Sequence, residues 1–301
     1  MYWIIQEKVR RIRDEGAKRV MKKRRILLLG GSGYLGTQIY DCLRQNGEHE
    51  VIATCYSTGR ADGFIRLDVT DGPSFVQLLQ EISPDVVIWA LMSSTDEPAI
   101  IKSGMNTLLE HLPKESRFIY ISSDGIFGQG NGAFVEADEV VPLADVNPLA
   151  SYSHAKQLGE MLVQTRHDNH AIVRLGPIYG RNSAGNWDKR VAFMLSELAA
   201  GREMLRPGNL YKTFVHVEDV AHAICELVEG EFTGLLHLGP QEKESYYSFF
   251  HKLAGSLGMG AERIKESSLA EDEARERGVP LDTSLDTRLA SSVLRTRFRQ
   301  V

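Results

Sequence analysis

Tyr152 and Lys156 open the chemical reading of this sequence. They stand four apart at the start of a helical pattern that continues through Leu158, Gly159, Leu162 and Val163. On a helix they share one face, a turn apart. A phenol with a pKa of about 10 is a poor proton shuttle at neutral pH. A neighbouring ammonium favours the phenolate and draws that pKa toward the working range. The spacing alone is common, and an ordinary surface pair would also show it. Upstream, Phe118-Ile119-Tyr120-Ile121-Ser122-Ser123-Asp124 reads as a buried strand ending in two hydroxyls. A serine there can hydrogen-bond a carbonyl or hydroxyl beside the tyrosine, because ligands of open α/β sheets sit beyond the carboxyl ends of the strands.

A second constellation lies near the start. The apolar run Ile26-Leu29 leads into Gly30-Gly31-Ser32-Gly33-Tyr34-Leu35-Gly36, and a helix pattern begins there. The segment satisfies GxGxxG from Gly31 and GxxGxxG from Gly30. In either register, glycines permit a tight turn and close backbone approach, and the helix N-terminus offers N–H groups to a pyrophosphate. The ribose-reading position, about twenty residues on, falls in Thr54-Cys55-Tyr56-Ser57-Thr58-Gly59-Arg60, which holds no acid. An Asp or Glu would accept from a ribose 2′-OH, whereas hydroxyls and Arg60 suit a 2′-phosphate. NADP(H) is therefore favoured over NAD(H), although Arg60 would read the same as a solvated loop residue.

Elements that could position these groups follow from the apolar rhythm. Candidate strands are Arg25-Gly30, Glu50-Tyr56, Phe64-Asp68, Asp85-Leu91, Arg117-Ser123 and Ala171-Leu175. Continuous apolar strands are buried on both faces, as in parallel sheets covered by helices. The alternation predicts an α/β, doubly wound Rossmann-type parallel sheet with a small C-terminal substrate lobe. Residues 25–175 form the expected cofactor domain. Gly176, Pro177, Gly180, Gly185, Gly201, Pro207 and Gly208 then interrupt the rhythm. A strand at 213–217, a helix at 218–228 and a strand at 234–238 are expected to return 213–240 to the main sheet. That leaves 176–212 and 241–301 for the lobe, with two or three short helices after Ser245.

Composition narrows the class. The 301 residues are 43% hydrophobic and 25% charged with a net charge of -5, which argues against a disordered chain or a globally basic nucleic-acid binder. Cys42, Cys55 and Cys225 are too few for a disulfide framework or zinc site, and the histidines show no metal-ligand spacing. No apolar run approaches the roughly 20 residues that span a bilayer, so no membrane partner and a cytoplasmic location are expected. The first 25 residues carry ten Lys or Arg against three acids. Residues 1–24 are read as a basic extension, either an appended helix or an upstream start, with Met21 the natural beginning of the domain.

Taken together, GGSGYLG (30–36), LDVTD (67–71), SPDVVIWA (83–90), YISSDGIFG (120–128), YSHAK (152–156), VRLGPIYG (173–180), FVHVEDVA (214–221) and LLHLG (235–239) resemble the extended short-chain dehydrogenase/reductase family. Within it, the likeness is to the dTDP-4-dehydrorhamnose reductase, or sugar-nucleotide-binding, group, from about Arg25 to Leu289. The resemblance implies that Ser123 takes the place of the catalytic Thr or Ser. It makes Tyr152 the general acid, and has Lys156 bind the nicotinamide ribose and tune Tyr152. Cofactor contacts would come from Gly30, Gly33, Tyr34, Leu35, Gly36, Arg60, Asp68, Val69, Ala90, Pro177 and Ile178. Asp68 reads equally as an acid capping the next helix, and Arg174 as a structural residue. His216 and Asp219 are expected at a strand-to-helix junction, and Arg181, Arg206 and Lys212 are candidate diphosphate contacts.

The implied activity is NAD(P)H-dependent reduction of a nucleotide-linked 4-keto sugar, with a homodimer admitted. Two alternatives stay open: a sugar-nucleotide epimerase, and a catalytically weak NADP-binding regulatory or scaffold subunit like that of methionine adenosyltransferase. Dehydratases of this superfamily place an Asp-Glu pair after the active-site Thr, whereas here Asp124 is followed by Gly125. The segment after the fourth strand, Trp89-Ala90-Leu91-Met92, departs from the small residues usual beside the cofactor; Trp89 and Met92 either narrow the cleft or face the core. Residues 95–106 are short for the helix-bearing loop expected there.

Overall fold

The computed structural model describes residues 23–45, 47, 49–57, 63–93 and 96–301. The basic extension, apart from its last two residues, and Arg60 lie outside the described residues.

Strand β1 (Arg25–Leu29) runs into helix α1 (Tyr34–Gln45), followed by β2 (Glu50–Cys55), β3 (Ile65–Arg66), α2 (Gly72–Ile82) and β4 (Val86–Trp89). A helical segment α3 (97–111) comes next. It has an α-helical turn Glu97–Ala99, a π-helical stretch Ile100–Met105 and an α-helical end Asn106–His111. Then come β5 (Arg117–Ser123), α4 (Ala150–Arg166) and β6 (His170–Leu175). The remaining elements are β7 (Ile178–Tyr179), α5 (Lys189–Ala199), β8 (Met204–Pro207), β9 (Tyr211–Lys212), β10 (Val215–His216), α6 (Val217–Glu229), β11 (Gly234–Leu238), β12 (Glu244–Ser245), α7 (Tyr246–Ser256), β13 (Ile264–Ser267), α8 (Glu271–Glu276) and α9 (Arg288–Val293).

Seven strands form one parallel sheet in the order β3-β2-β1-β4-β5-β6-β11. The doubly wound Rossmann-type fold follows from the residue pattern. Successive side chains of a strand face opposite ways. Ile26 and Leu28 accordingly join Ile39, Leu43, Val220 and Ile224 on the face covered by α1 and α6. Leu27 and Leu29 join Phe75, Leu78, Met105 and Val163 on the face covered by α2, α3 and α4. A separate core, built on Met194, Leu198, Phe214, Phe249 and Ile264, lies among α5, α7, β8 and β13.

Several boundaries differ from the sequence expectation. The strand expected over 64–68 shortens to Ile65–Arg66. The one expected over 213–217 shortens to Val215–His216 and pairs with Ile178–Tyr179 outside the main sheet. The short 95–106 stretch does hold helix, with a π-helical middle. Cys42 and Cys225, distant in sequence, are buried free thiols with their sulfurs 2.8 Å apart across α1 and α6. Among the described residues no helix is long and apolar enough to cross a membrane, and no group of three or more His, Cys, Asp or Glu is placed to hold a metal.

Candidate active site

The glycine loop joins β1 to α1 at the carboxyl edge of the sheet. Gly30 sits at φ +86°, a region open mainly to glycine, and its carbonyl accepts from Gly33 N at 3.0 Å to close the turn. A Cβ at Gly36 would lie 2.0 Å from that same carbonyl, and one at Gly31 would lie 2.7 Å from Ala53 Cβ. Backbone therefore packs on backbone here, and the N–H groups of the first turn of α1, which have no intrahelical partners, face the space beyond the strand. This cradle fits a dinucleotide pyrophosphate.

The other sequence-derived cofactor residues divide by place. Leu35 is a core residue under the loop. Tyr34 donates its hydroxyl to Gly180 O at 2.8 Å, and Asn182 Nδ2 donates back to Tyr34 O at 3.0 Å. The turn after β7 thus lies along the start of α1. Burial, reinforced by Asp188, pushes the Tyr34 phenol well above its ordinary pKa. Ala90 is half-buried at the end of β4, and Pro177 and Ile178 are half-buried just past β6. Asp68 is exposed and accepts from Thr70 N and Oγ1, while Asp71 caps α2. Val69 is buried against Gly104.

Ser123, Tyr152 and Lys156 come together at the end of β5 and the first turns of α4. The Ser123 side chain stands beside the Tyr152 phenol and acts to lower its pKa, while its Oγ accepts from Gly125 N at 3.0 Å. Lys156 Nζ lies 5.7 Å from the centre of the Tyr152 ring and 5.2 Å from that of Tyr120. It donates to Leu91 O and Ile121 O, both at 3.2 Å, and stands 2.9 Å from Glu97 Oε1. Burial pushes the Tyr152 pKa up, and although Lys156 pulls it down, the net direction is upward, with Glu97 adding to the rise. The expectation that the ammonium brings this phenol down toward neutrality is thus outweighed by desolvation. As placed, Tyr152 is a neutral phenol, a proton donor. For Lys156, burial alone would lower the pKa, but Tyr120, Tyr152 and Glu97 hold it above its ordinary value. Glu97 was not singled out from the sequence. Its only signal there is an acid beside Pro98 at a helix start, which reads as an ordinary first-turn carboxylate.

A family described as NAD dependent epimerase/dehydratase family matches residues 26–234. The chain belongs to that family. It is an NAD(P)-dependent oxidoreductase of the extended short-chain dehydrogenase/reductase type. Among curated relatives, the chain is 28% identical over 274 residues to the probable low-salt glycan biosynthesis reductase of Haloferax volcanii, covering 85% of this chain and 88% of that one. It is 25% identical over 260 residues to the methionine adenosyltransferase 2 subunit beta of Xenopus tropicalis, covering 80% of this chain and 75% of that one. A hypothetical dTDP-4-dehydrorhamnose reductase from Sulfolobus tokodaii superposes with a TM-score of 0.76 at 24% identity, covering 92% of this chain and 97% of that one. The Bacillus anthracis dTDP-4-dehydrorhamnose reductase in complex with NADP superposes with a TM-score of 0.72 at 19% identity, covering 90% of this chain and 91% of that one.

Within this epimerase/dehydratase frame, the departures noted in the sequence acquire places. Trp89 is fully buried in the core with Tyr120 and Phe118, on the face covered by α2, α3 and α4, so it does not narrow the cleft. Met92 is exposed. Beside Ser123, buried Asp124 accepts from Thr283 Oγ1 at 2.5 Å and from Lys212 Nζ at 3.1 Å. This draws β9 and the 280–286 segment up to Ser123. Arg206 lies over the Phe250 ring and Arg181 bonds Gly185 O, so neither joins Lys212 there. Arg174 is structural: it pairs with Glu160 at 2.7 Å and abuts His237. His216 caps α6, and Asp219 in that helix's first turn holds Arg299.

Proposed function

We propose that this chain reduces the keto group of a nucleotide-linked 4-keto sugar, with Ser123, Tyr152 and Lys156 as its catalytic residues. The carrying observation is the placement of Ser123 at the carboxyl edge of β5 beside Tyr152, whose ring centre lies 5.7 Å from the buried Lys156 ammonium. When bound, the reduced nicotinamide supplies a hydride to the keto carbon. Ser123 orients the carbonyl oxygen, and Tyr152 delivers its proton to that oxygen as the C–O π bond opens, leaving a tyrosinate stabilised by Lys156 and reprotonated from solvent. Gly30, Gly33, Tyr34, Leu35, Gly36, Ala90, Pro177 and Ile178 form the cofactor cleft in this reading, with Asp68 and Val69 toward the adenine. NADP(H) is preferred because 54–60 offers hydroxyls and Arg60 but no acid. The names of the Haloferax and Sulfolobus proteins support the reductase reading, and Gly125 after Asp124 removes the second carboxylate that elimination would use.

The test is oxidation of NADPH and NADH by the full chain with a panel of dTDP- and UDP-4-keto sugars. Stoichiometric NADPH consumption is expected with at least one of them, abolished in Tyr152→Phe while cofactor affinity stays close to wild type. Sugar interconversion without cofactor consumption would mean an epimerase. Tight NADPH binding without turnover across the panel would favour a cofactor-binding subunit, the reading that the methionine adenosyltransferase likeness supports.

A further inference from the structure

Glu97 is 1% exposed, although it opens a helix. One carboxylate oxygen accepts from Ser93 N at 2.7 Å and the other lies 2.9 Å from Lys156 Nζ. A buried carboxylate costs several kcal/mol in lost hydration, and a buried ion pair is often no more stable than an apolar pair of the same size. Helix initiation does not require burial either, since an exposed acid serves the first turn equally well. The placement of Glu97 thus has no sufficient account in folding.

Its account lies in Lys156. The ammonium is held by the carbonyls of Leu91, just past β4, and Ile121 in β5, and by Glu97 from α3. We propose that Glu97 is a positioning residue for the reduction: it pins the Lys156 ammonium under the Tyr152 ring and balances its charge there. The proposal rests on the reading of Tyr152 as the proton donor. The ionisable groups facing Lys156 are Tyr120 from β5, Tyr152 from α4 and Glu97 from α3; Asp124 and Glu160 act on the two phenols from farther away. With Glu97 ionised, the buried group holds one cation and one anion. With Gln in its place, one cation stands uncompensated. Lys156, still bonded to two carbonyls, keeps its proton, and the Tyr152 phenol yields its own more readily.

The titration that decides this needs neither substrate nor cofactor. The phenolate absorbance of the full chain is titrated against pH and the curve of its Tyr152→Phe counterpart subtracted, for wild type, Glu97→Gln and Glu97→Asp. Glu97 acts to raise the Tyr152 pKa and a like charge disfavours ionisation, so the Tyr152 midpoint is expected to fall by about one unit in Glu97→Gln. In Glu97→Asp, whose carboxylate is drawn back by one methylene, it should fall less. The alkaline limb of the kcat profile should move with it, while KM for the cofactor changes little. A midpoint that stays put or rises in Glu97→Gln overturns the proposal, since a purely structural carboxylate would cost stability and leave the phenol where it was. If Glu97→Gln does not fold, an unmoved midpoint in Glu97→Asp does the same. Should no 4-keto sugar be reduced, the functional reading fails, yet the titration still decides the role of Glu97.

Discussion

Adding one methyl group at two glycines of the phosphate loop should separate fold from cofactor binding. At Gly36 the new Cβ would stand 2.0 Å from Gly30 O and 2.9 Å from Gly30 C. Both are rigid backbone, and Cβ contacts under 3.0 Å are essentially never seen. The helix or the turn must therefore retreat by about 1 Å. Overpacking of this kind costs about 3 kcal/mol, and the gain in helix propensity from Gly to Ala returns about 1. The retreat also spoils the aim of the first-turn N–H groups at the pyrophosphate. Two charge-assisted hydrogen bonds at about 1.5 kcal/mol each give about 3 kcal/mol, on the order of 100-fold in Kd. At Gly33, by contrast, the new Cβ would meet only Gly30 O, at 3.2 Å, and the residue is exposed on the cofactor side. Gly33→Ala should cost less stability than Gly36→Ala and still weaken NADPH, because its methyl group stands on the exposed side of the cradle. The assay pairs thermal unfolding without ligand with NADPH fluorescence titration. Gly36→Ala should lower Tm by several degrees and weaken binding about 100-fold; Gly33→Ala should weaken binding with a smaller loss of Tm. A Gly36→Ala chain with wild-type Tm and wild-type Kd would refute the reading of this loop as a backbone-packed pyrophosphate cradle.

Two further outcomes follow from buried polar groups outside the loop. His237 is fully buried, with Nδ1–H donating to Phe134 O at 3.0 Å and Nε2 accepting from Arg174 at 3.3 Å, and burial together with Arg174 holds its pKa down to about 4. The folded chain therefore binds this proton less readily than the unfolded one. Stability should be full above pH 6.5 and drain by about 3 kcal/mol as pH falls toward 4. Denaturant unfolding at stepped pH tests this, and a wild-type curve parallel to that of His237→Phe across the window would contradict it. Lys212→Met removes the bond from β9 to Asp124 and Thr283. KM for the nucleotide sugar should rise about tenfold or more while NADPH affinity is unchanged, and an unaltered KM would remove Lys212 from the substrate side of the site.

The parts of the fold legible in the sequence were those set by local pattern. Arg117–Ser123 and Gly234–Leu238 form as strands with the bounds read from their apolar runs. The glycine loop stands between β1 and α1, and Tyr152 and Lys156 share the face of α4 that their spacing requires. What escaped was tertiary. The strand at 213–217 turns away because the exit of β6 passes against it: a Cβ at Gly176 would lie 1.9 Å from Thr213 O, and that crossing has no local signature. Trp89 could have been placed by period two from Val87, since both face α2, α3 and α4. The direction of the Tyr152 shift depends on burial, which residue types four apart do not encode. Glu97 is a similar case, because the short connection from β4 into α3 carries inward an acid that elsewhere would be a solvated helix start.

These tertiary features converge on how α4 is held. Tyr152, Lys156 and Glu160 recur every four residues and form a single line along the helix. The second member is tied to Glu97, to Leu91 just past β4 and to Ile121 in β5, and the third to Arg174 on β6. Between them Gly159 lets the helix settle against the strand, since a Cβ there would stand 2.3 Å from Tyr120 Oη. Two buried ion pairs are a poor route to stability, because apolar pairs of the same volume often serve as well or better. They are a good route to register. An ion pair with fixed partners on different elements sets both the rotation of the helix and its position along its axis, whereas apolar packing tolerates small slides. One turn before Lys156 and two before Glu160 stands Tyr152, whose hydroxyl meets the substrate oxygen in the reaction proposed above. A misplacement of about 1 Å there costs on the order of 100-fold in rate. In the proposed reduction, the charges buried in α4 thus serve to aim Tyr152 as its proton donor.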